Sequence, residues 1–328
     1  MKLFIYPQYS KDHKGNPYTK NLQNSLSSYY SVSEFANNLP HSIKLFGAAF
    51  TSDIIIVNWL ERIAQYSFGW LQAIMCIIAI YIIRIKGKKI VWMFHNMHPH
   101  DGENKWSRII QRLLFEKSSI IISHSEEAAT YARNYASCPV YYKPHPVVTI
   151  QYGEWKGECP NCDIFIWGTI FPYKGIDEFL SHPFITKRHV RVIIIGYCAD
   201  KTLKEKIKIH CSESVIFENR RADYNEIAAR CKKSKFVLFP YIGDSISSSG
   251  ALMDTIQMGG TPIGPNRGAF ADLAKVGCCI TYDKIEEVFD LVCSTNINDK
   301  ILTNEKRDVF IRNNSWSSFA SWLFDTIN

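Results

Sequence analysis

The sequence has no GxGxxG run after its first strand, no HExxH, and a single CxxC, formed by Cys159 and Cys162 with no second pair behind it. Without the glycine fingerprint, a dinucleotide-dependent oxidoreductase or nucleotide-sugar epimerase lacks the turn that holds its cofactor. A zinc site needs a second ligand pair at matching spacing, so 159–162 reads as a turn between domains, and neither a metal nor a cofactor is expected. Zinc-finger, basic-zipper and aromatic RNA-binding signatures are missing too, which argues against a nucleic-acid partner. No secretory leader is expected from the opening residues of the chain. Its ten cysteines are scattered, and Cys76, Cys198 and Cys293 sit inside apolar runs, which fits reduced thiols and a cytoplasmic location.

What is present is an ordinary globular composition, 46% hydrophobic and 21% charged over 328 residues, enough for two domains of roughly 150 residues each. Charge is unevenly placed. Residues 1–150 carry 16 Lys and Arg against 9 Asp and Glu, whereas the remainder carries 22 of each. The first half is therefore the part expected to meet an anionic surface or a phosphorylated substrate.

In the first half, strands are expected at 1–6, 53–57, 90–94, 120–122 and 140–143, separated by helices at 19–26, 106–115 and 125–136. That alternation predicts a parallel sheet. Between the second and third strands lies the most apolar stretch, 63–83, which has 21 residues and no charged side chain and is closed by Arg84, Lys86, Lys88 and Lys89. Length alone would let it span a bilayer. The return of the next strand to the same sheet argues instead for a crossover helix. Its outer face, with Phe68, Trp70, Leu71 and Tyr81, either packs on protein or dips into a lipid interface. The cycle restarts after a crossing segment at 151–163. Strands follow at 164–168, 190–196, 215–217 and 236–240, with helices near 177–180, 201–211 and 224–231. The expected division is 1–150, 151–310, and a packing helix at 311–328.

Three loops carry the chemistry. At 164–176 an apolar strand ends in Gly168 and, after a short loop, Lys174 and Gly175 open a helix, where a lysine can neutralise an anion held by backbone amides. At 241–254, Tyr241 leads into a serine-rich run that includes Ser247, Ser249 and Gly250 and opens a second helix carrying Asp254, another anion-binding start. At 95–101 the run HNMHPHD places His95, Asn96, His98, His100 and Asp101 just after a strand. Pro99 prevents a helical pair of histidine ligands, so sugar contact or acid/base work suits the run better than a metal. The GNPY loop at 15–18, with Asn16, Pro17 and Tyr18, follows the first strand, where ligands of doubly wound sheets collect.

The strings GTIFPYKGID at 168–177, FPY at 239–241, SSSGAL at 247–252 and GTPI at 260–263 resemble the donor-binding domain of GT-B glycosyltransferases. The match is to the family 4 type that builds bacterial capsules and exopolysaccharides. The GNPY loop, His95 and Asn96 resemble their acceptor-side loops. The resemblance implies two Rossmann-like doubly wound domains facing across a cleft. It also implies transfer of a hexose from a UDP- or GDP-sugar to a lipid-linked or oligosaccharide acceptor, at the cytoplasmic face of the inner membrane and without a metal. Lys174 would stabilise the leaving diphosphate with help from Arg220 or Arg221. Ser249 and the Gly250 amide would hold phosphate or sugar, and His95 would touch the donor sugar. An inverting route would use Asp101 as base, with His98 and His100 behind it.

The sequence departs from family 4 at its glutamate pair. Counting back from Gly260 puts Thr255 and Ser247 in those places, with Asp254 one residue off. That leaves a non-catalytic GT-B-like binding partner of a membrane glycosyltransferase as the second reading.

Overall fold

A computed structural model describes residues 1–9, 17–95, 97, 104–243, 249–294 and 303–328. The chain forms two compact units, one of residues 1–144 with 316–328, the other of residues 145–315.

The first unit runs β1 (Lys2–Tyr6), α1 (Tyr18–Leu26), β2 (Ser31–Val32), α2 (His41–Thr51), β3 (Ile54–Asn58), α3 (Gly69–Ile85), β4 (Lys89–Phe94), α4 (Lys105–Lys117), β5 (Ile120–Ser123), α5 (Glu126–Arg133) and β6 (Val140–Tyr142). All six strands are parallel, in the order β2-β1-β3-β4-β5-β6. Parallel strands buried on both faces read as continuous apolar runs, and Ile54–Asn58 is buried throughout. One face of the sheet is closed by a core that includes Phe4, Ile55, Trp92, Leu114 and the inner positions of α3.

The apolar stretch at 63–83 is not one helix. A 3-10 turn, Leu60–Gln65, precedes α3, and Phe68 takes a left-handed conformation at φ 54° before Gly69. A Cβ on Gly69 would lie 2.1 Å from the Ala64 carbonyl oxygen, so only glycine lets the turn fold back this tightly. The remaining 17-residue helix buries Ala73, Cys76, Ala79, Ile80 and Ile83 against the sheet. No described helix is long and apolar enough to cross a membrane, which removes the bilayer-spanning reading.

The second unit runs β7 (Cys162–Trp167), α6 (Ile176–Leu180), α7 (Phe184–Lys187), β8 (Val192–Ile195), α8 (Lys201–Ile209), β9 (Val215–Glu218), α9 (Tyr224–Lys233), β10 (Ser234–Leu238), α10 (Gly250–Met258), β11 (Pro262–Pro265), α11 (Gly268–Lys275), β12 (Ile280–Tyr282), α12 (Glu286–Cys293) and α13 (Asn304–Asn313). Its parallel sheet has the order β12-β11-β10-β7-β8-β9, with a separate apolar core on each face. Val147 bridges Ser315 in parallel, so the chain enters and leaves this unit side by side.

The last helix, α14 (Trp316–Ile327), belongs to the first unit, where Phe319, Ala320 and Leu323 are buried. Asn328 Nδ2 donates to the Tyr30 hydroxyl, and the Lys89 ammonium donates to the Ile327 carbonyl.

Candidate functional site

In the second unit the loops beyond the carboxyl ends of β7, β8 and β10 converge through glycines. A Cβ at Gly196 would lie 2.0 Å from the Gly168 carbonyl oxygen, and one at Gly175 would lie 2.2 Å from the Pro240 carbonyl oxygen. Gly175 itself has φ 62°. Backbone therefore packs on backbone here, drawing three strand ends together.

Lys174 ends a 3-10 turn, Pro172–Lys174, and is only 7% exposed. Its ammonium sits 5.6 Å from the centre of the Tyr241 ring and 3.4 Å from where a Gly168 side chain would begin. No described residue offers it a carboxylate. Burial lowers its pKa below the ordinary lysine value. The Tyr241 hydroxyl lies 3.4 Å from the Ser249 hydroxyl. Ser249 caps α10 by accepting from the Leu252 amide, and no described atom beyond its chain neighbours and own helix backbone lies within 4 Å of where a Gly250 Cβ would stand. A buried ammonium and an open helix start are thus joined through one tyrosine, the arrangement an anion with two charged groups can bridge.

Asp254, one turn into α10, carries a carboxyl that burial raises to about 7. Its charge also acts on Tyr152 and Tyr224, helping to raise both phenols. Thr255 is fully buried and accepts from the Trp167 indole at 2.9 Å. The place where family 4 carries its second glutamate therefore faces the core, and the carboxylate stands on the neighbouring, half-buried position.

The two arginines separate. Arg220 is held by two carboxylates, Glu218 and Glu226, at 2.6 Å each, and Glu226 also pairs with Arg230 at 3.1 Å. Glu226 is 2% exposed, and the Arg220 hydrogen bond holds its pKa below the usual carboxylate range. Arg220 thus ties β9 to α9. Arg221 is exposed and lies 5.7 Å over the Tyr197 ring, just past Gly196.

In the first unit, His95 is nearly buried at the end of β4. Its Nε2 donates to Asn58 Oδ1 at 3.0 Å, and Asn58 is oriented by donating its own Nδ2 to the Tyr6 carbonyl. The ring stacks on Trp59 with centres 4.3 Å apart, and Trp59 has φ 51°. Tyr18 meets His95 edge to face, and its hydroxyl donates to Nε2 of the buried His124 at 2.7 Å. His124 Nδ1 in turn donates to the Lys143 carbonyl. Pro17 is exposed at the start of α1.

Asn58, Trp59 and His124 escaped the sequence reading because each closes an apolar strand with a single polar or aromatic residue. The bonds from Asn58 to His95 and from Tyr18 to His124 span 37 and 106 residues. Asn16, Asn96, His98, His100, Asp101 and Ser247 lie outside the described residues. No group of histidine, cysteine, aspartate or glutamate among the described residues could hold a metal ion, Cys159 and Cys162 included.

No protein-family model matches the chain, and no curated protein matches it in sequence. Solved structures do match in shape. HepE of Anabaena, in complex with UDP and glucose, superposes with a TM-score of 0.70 at 15% identity, over 100% of this chain and 99% of the other. The trehalose-6-phosphate synthase OtsA gives 0.68 at 9% identity, over 99% and 98%. The UDP-forming trehalose-phosphate synthase of Burkholderia xenovorans, in complex with glucose-6-phosphate, gives 0.65 at 9%, over 99% of both chains. The fold is that of the GT-B glycosyltransferases.

Proposed function

We propose that the protein is a metal-independent glycosyltransferase that moves a hexose from a UDP- or GDP-sugar to a lipid-linked glycan. The setting we propose is bacterial capsule or exopolysaccharide assembly at the cytoplasmic face of the inner membrane. The observation that carries the reading is Lys174, a buried ammonium with no described carboxylate partner, joined through Tyr241 to the open start of α10. Glycosyl transfer must stabilise a departing nucleoside diphosphate, and a fixed cation with helix amides does so without a metal. HepE and the trehalose-phosphate synthases, whose fold this chain shares, support a UDP-sugar as donor.

Gly168 after β7, Ser249 and Gly250 at the start of α10, and Arg221 in the loop after β9 are proposed to complete the diphosphate site. Asp254 is proposed to face the nucleoside. On the acceptor side, His95 is held through Nε2 by Asn58 and is proposed to touch the donor sugar. An inverting transfer also needs a base for the attacking hydroxyl, for which Asp101 is the candidate, whereas a retaining transfer proceeds without one.

The test is a calorimetric titration with UDP and GDP, followed by donor turnover in the presence of chelator and a lipid-linked acceptor extract. Binding with turnover is expected. Nucleotide binding without donor cleavage under any acceptor condition would favour a non-catalytic partner, and absence of both would sink the site assignment. Asp101→Asn decides between the routes, since an inverting enzyme loses transfer but keeps donor binding.

A further inference from the structure

Helices α2 and α3 pack side by side, with the Ser42 hydroxyl donating to Gln72 Oε1 at 3.2 Å and the Lys88 ammonium to the Ala49 carbonyl at 2.9 Å. Their outer faces are apolar. On α3, Leu71, Ile78, Tyr81 and Ile85 recur at helical spacing opposite the buried Ala73, Cys76 and Ile83, and Ile85 is 83% exposed. On α2, Ile43 and Phe50 continue the surface, with Phe50 51% exposed. Tyr66, Phe68 and Trp70 stand exposed at the other end of α3. Surface leucines and isoleucines scattered singly need no explanation, but a contiguous stripe of this kind marks an interaction surface.

Charge selects the occupant. Neither α2 nor α3 contains an aspartate or glutamate. The basic end of the stripe carries exposed Arg84 and Lys86, with Lys86 5.3 Å over the Phe50 ring and Lys117 of α4 5.9 Å over the Tyr81 ring. A second copy placed on this face by a twofold axis would set like charges against like. A surface of anionic lipid headgroups over acyl chains matches both the apolar stripe and its basic rim. Spanning is excluded by size, since 17 helical residues reach only about 26 Å and the opposite face is buried in the core.

We propose that the outer face of α2 and α3 docks this protein onto an anionic membrane surface, with both helices lying in the interfacial plane. The inference deepens the proposed transfer by naming where the lipid carrier is met. It rests on that reading for its purpose, although docking is measured without turnover.

The experiment is flotation of the full chain with phosphatidylcholine vesicles with and without phosphatidylglycerol, alongside light scattering and a UDP titration of the same samples. The expected result is binding only to the anionic vesicles, weakening as salt rises. The double substitution Ile78→Ser with Ile85→Ser should lower the partition coefficient by about tenfold or more. Lys86→Glu should lower it by about fivefold or more. All three positions are on the surface, so these variants should retain the parent melting temperature.

Failure of the parent to float, equal flotation with both lipids, or unchanged flotation of the serine variant would overturn the proposal. So would a parent dimer that the serine variant dissolves, which would make the stripe a contact between copies. Flotation without UDP binding would sink the transferase reading alone, and UDP binding without flotation would sink docking alone.

Discussion

A buried lysine that no described carboxylate neutralises is destabilising in itself, and Lys174 is held in place by the Tyr241 ring and the strand ends around it. Lys174→Ala should therefore lower kcat/KM by the equivalent of roughly 2 to 4 kcal/mol, the scale of one preorganised electrostatic group. Lys174→Met should meanwhile raise the melting temperature. The sign follows from linkage. The folded-state pKa lies below the unfolded value, so the unfolded chain binds more protons and native stability climbs as pH rises toward the ordinary lysine pKa. The gain from methionine should accordingly shrink in scans taken at increasingly alkaline pH.

Asp254 runs the other way, with a folded value near 7 that lies above the unfolded one. The native state holds the proton longer, so stability is lost between the unfolded carboxylate value and about 7. Asp254→Asn should stabilise the free protein more at pH above 7 than in mild acid. A melting-temperature difference that is flat with pH would remove the burial assignment.

At the scale of elements, what was legible depended on local pattern. Strands such as Ile54–Asn58 and Cys162–Trp167 announce themselves as β-branched and aromatic runs, and the turns at Lys174 and Ser249 are marked by residues whose chemistry is local. The 63–83 run misled because its hydrophobicity is continuous while its backbone is not: the break depends on Gly69 meeting a carbonyl five residues earlier. Gly69→Ala should destabilise by roughly 1 to 3 kcal/mol in chemical denaturation, an overpacking cost against backbone that cannot yield.

Helix α2 was missed because His41–Thr51 has Pro40 where a capping side chain would stand and Gly47 in its middle. Helices α11, α12 and α13 were not read from the sequence either. Arg220 looked available for phosphate because its partner Glu226 lies six residues away, inside the next helix. Glu226→Leu should leave Arg220 and Arg230 sharing Glu218 alone and lower stability by about 1 to 3 kcal/mol. A loss no larger than for an exposed glutamate would mean that the cluster is not coupled.

For the whole molecule, the informative feature is the path of the chain. Residues 145–315 carry both apolar cores of the second unit, so excised 145–315 should melt cooperatively and keep a UDP-induced thermal shift. Residues 1–144 alone lack Trp316, Phe319 and Leu323, which are buried in the first unit, and should not fold. Phe319→Ala, the single-residue version of that loss, should cost about 3 to 5 kcal/mol.

The same path has a consequence during synthesis. The first unit is begun before the second yet completed only by α14, after every residue of the second unit has been made. At ordinary elongation rates that delay is on the order of ten seconds to half a minute. Over that interval Tyr18, Leu22 and Leu26 of α1 wait without their closing helix. The nascent first unit should therefore keep that apolar face uncovered until α14 is made, and ribosome-stalled chains ending at residue 315 should be cleaved by protease in α1 faster than the full chain.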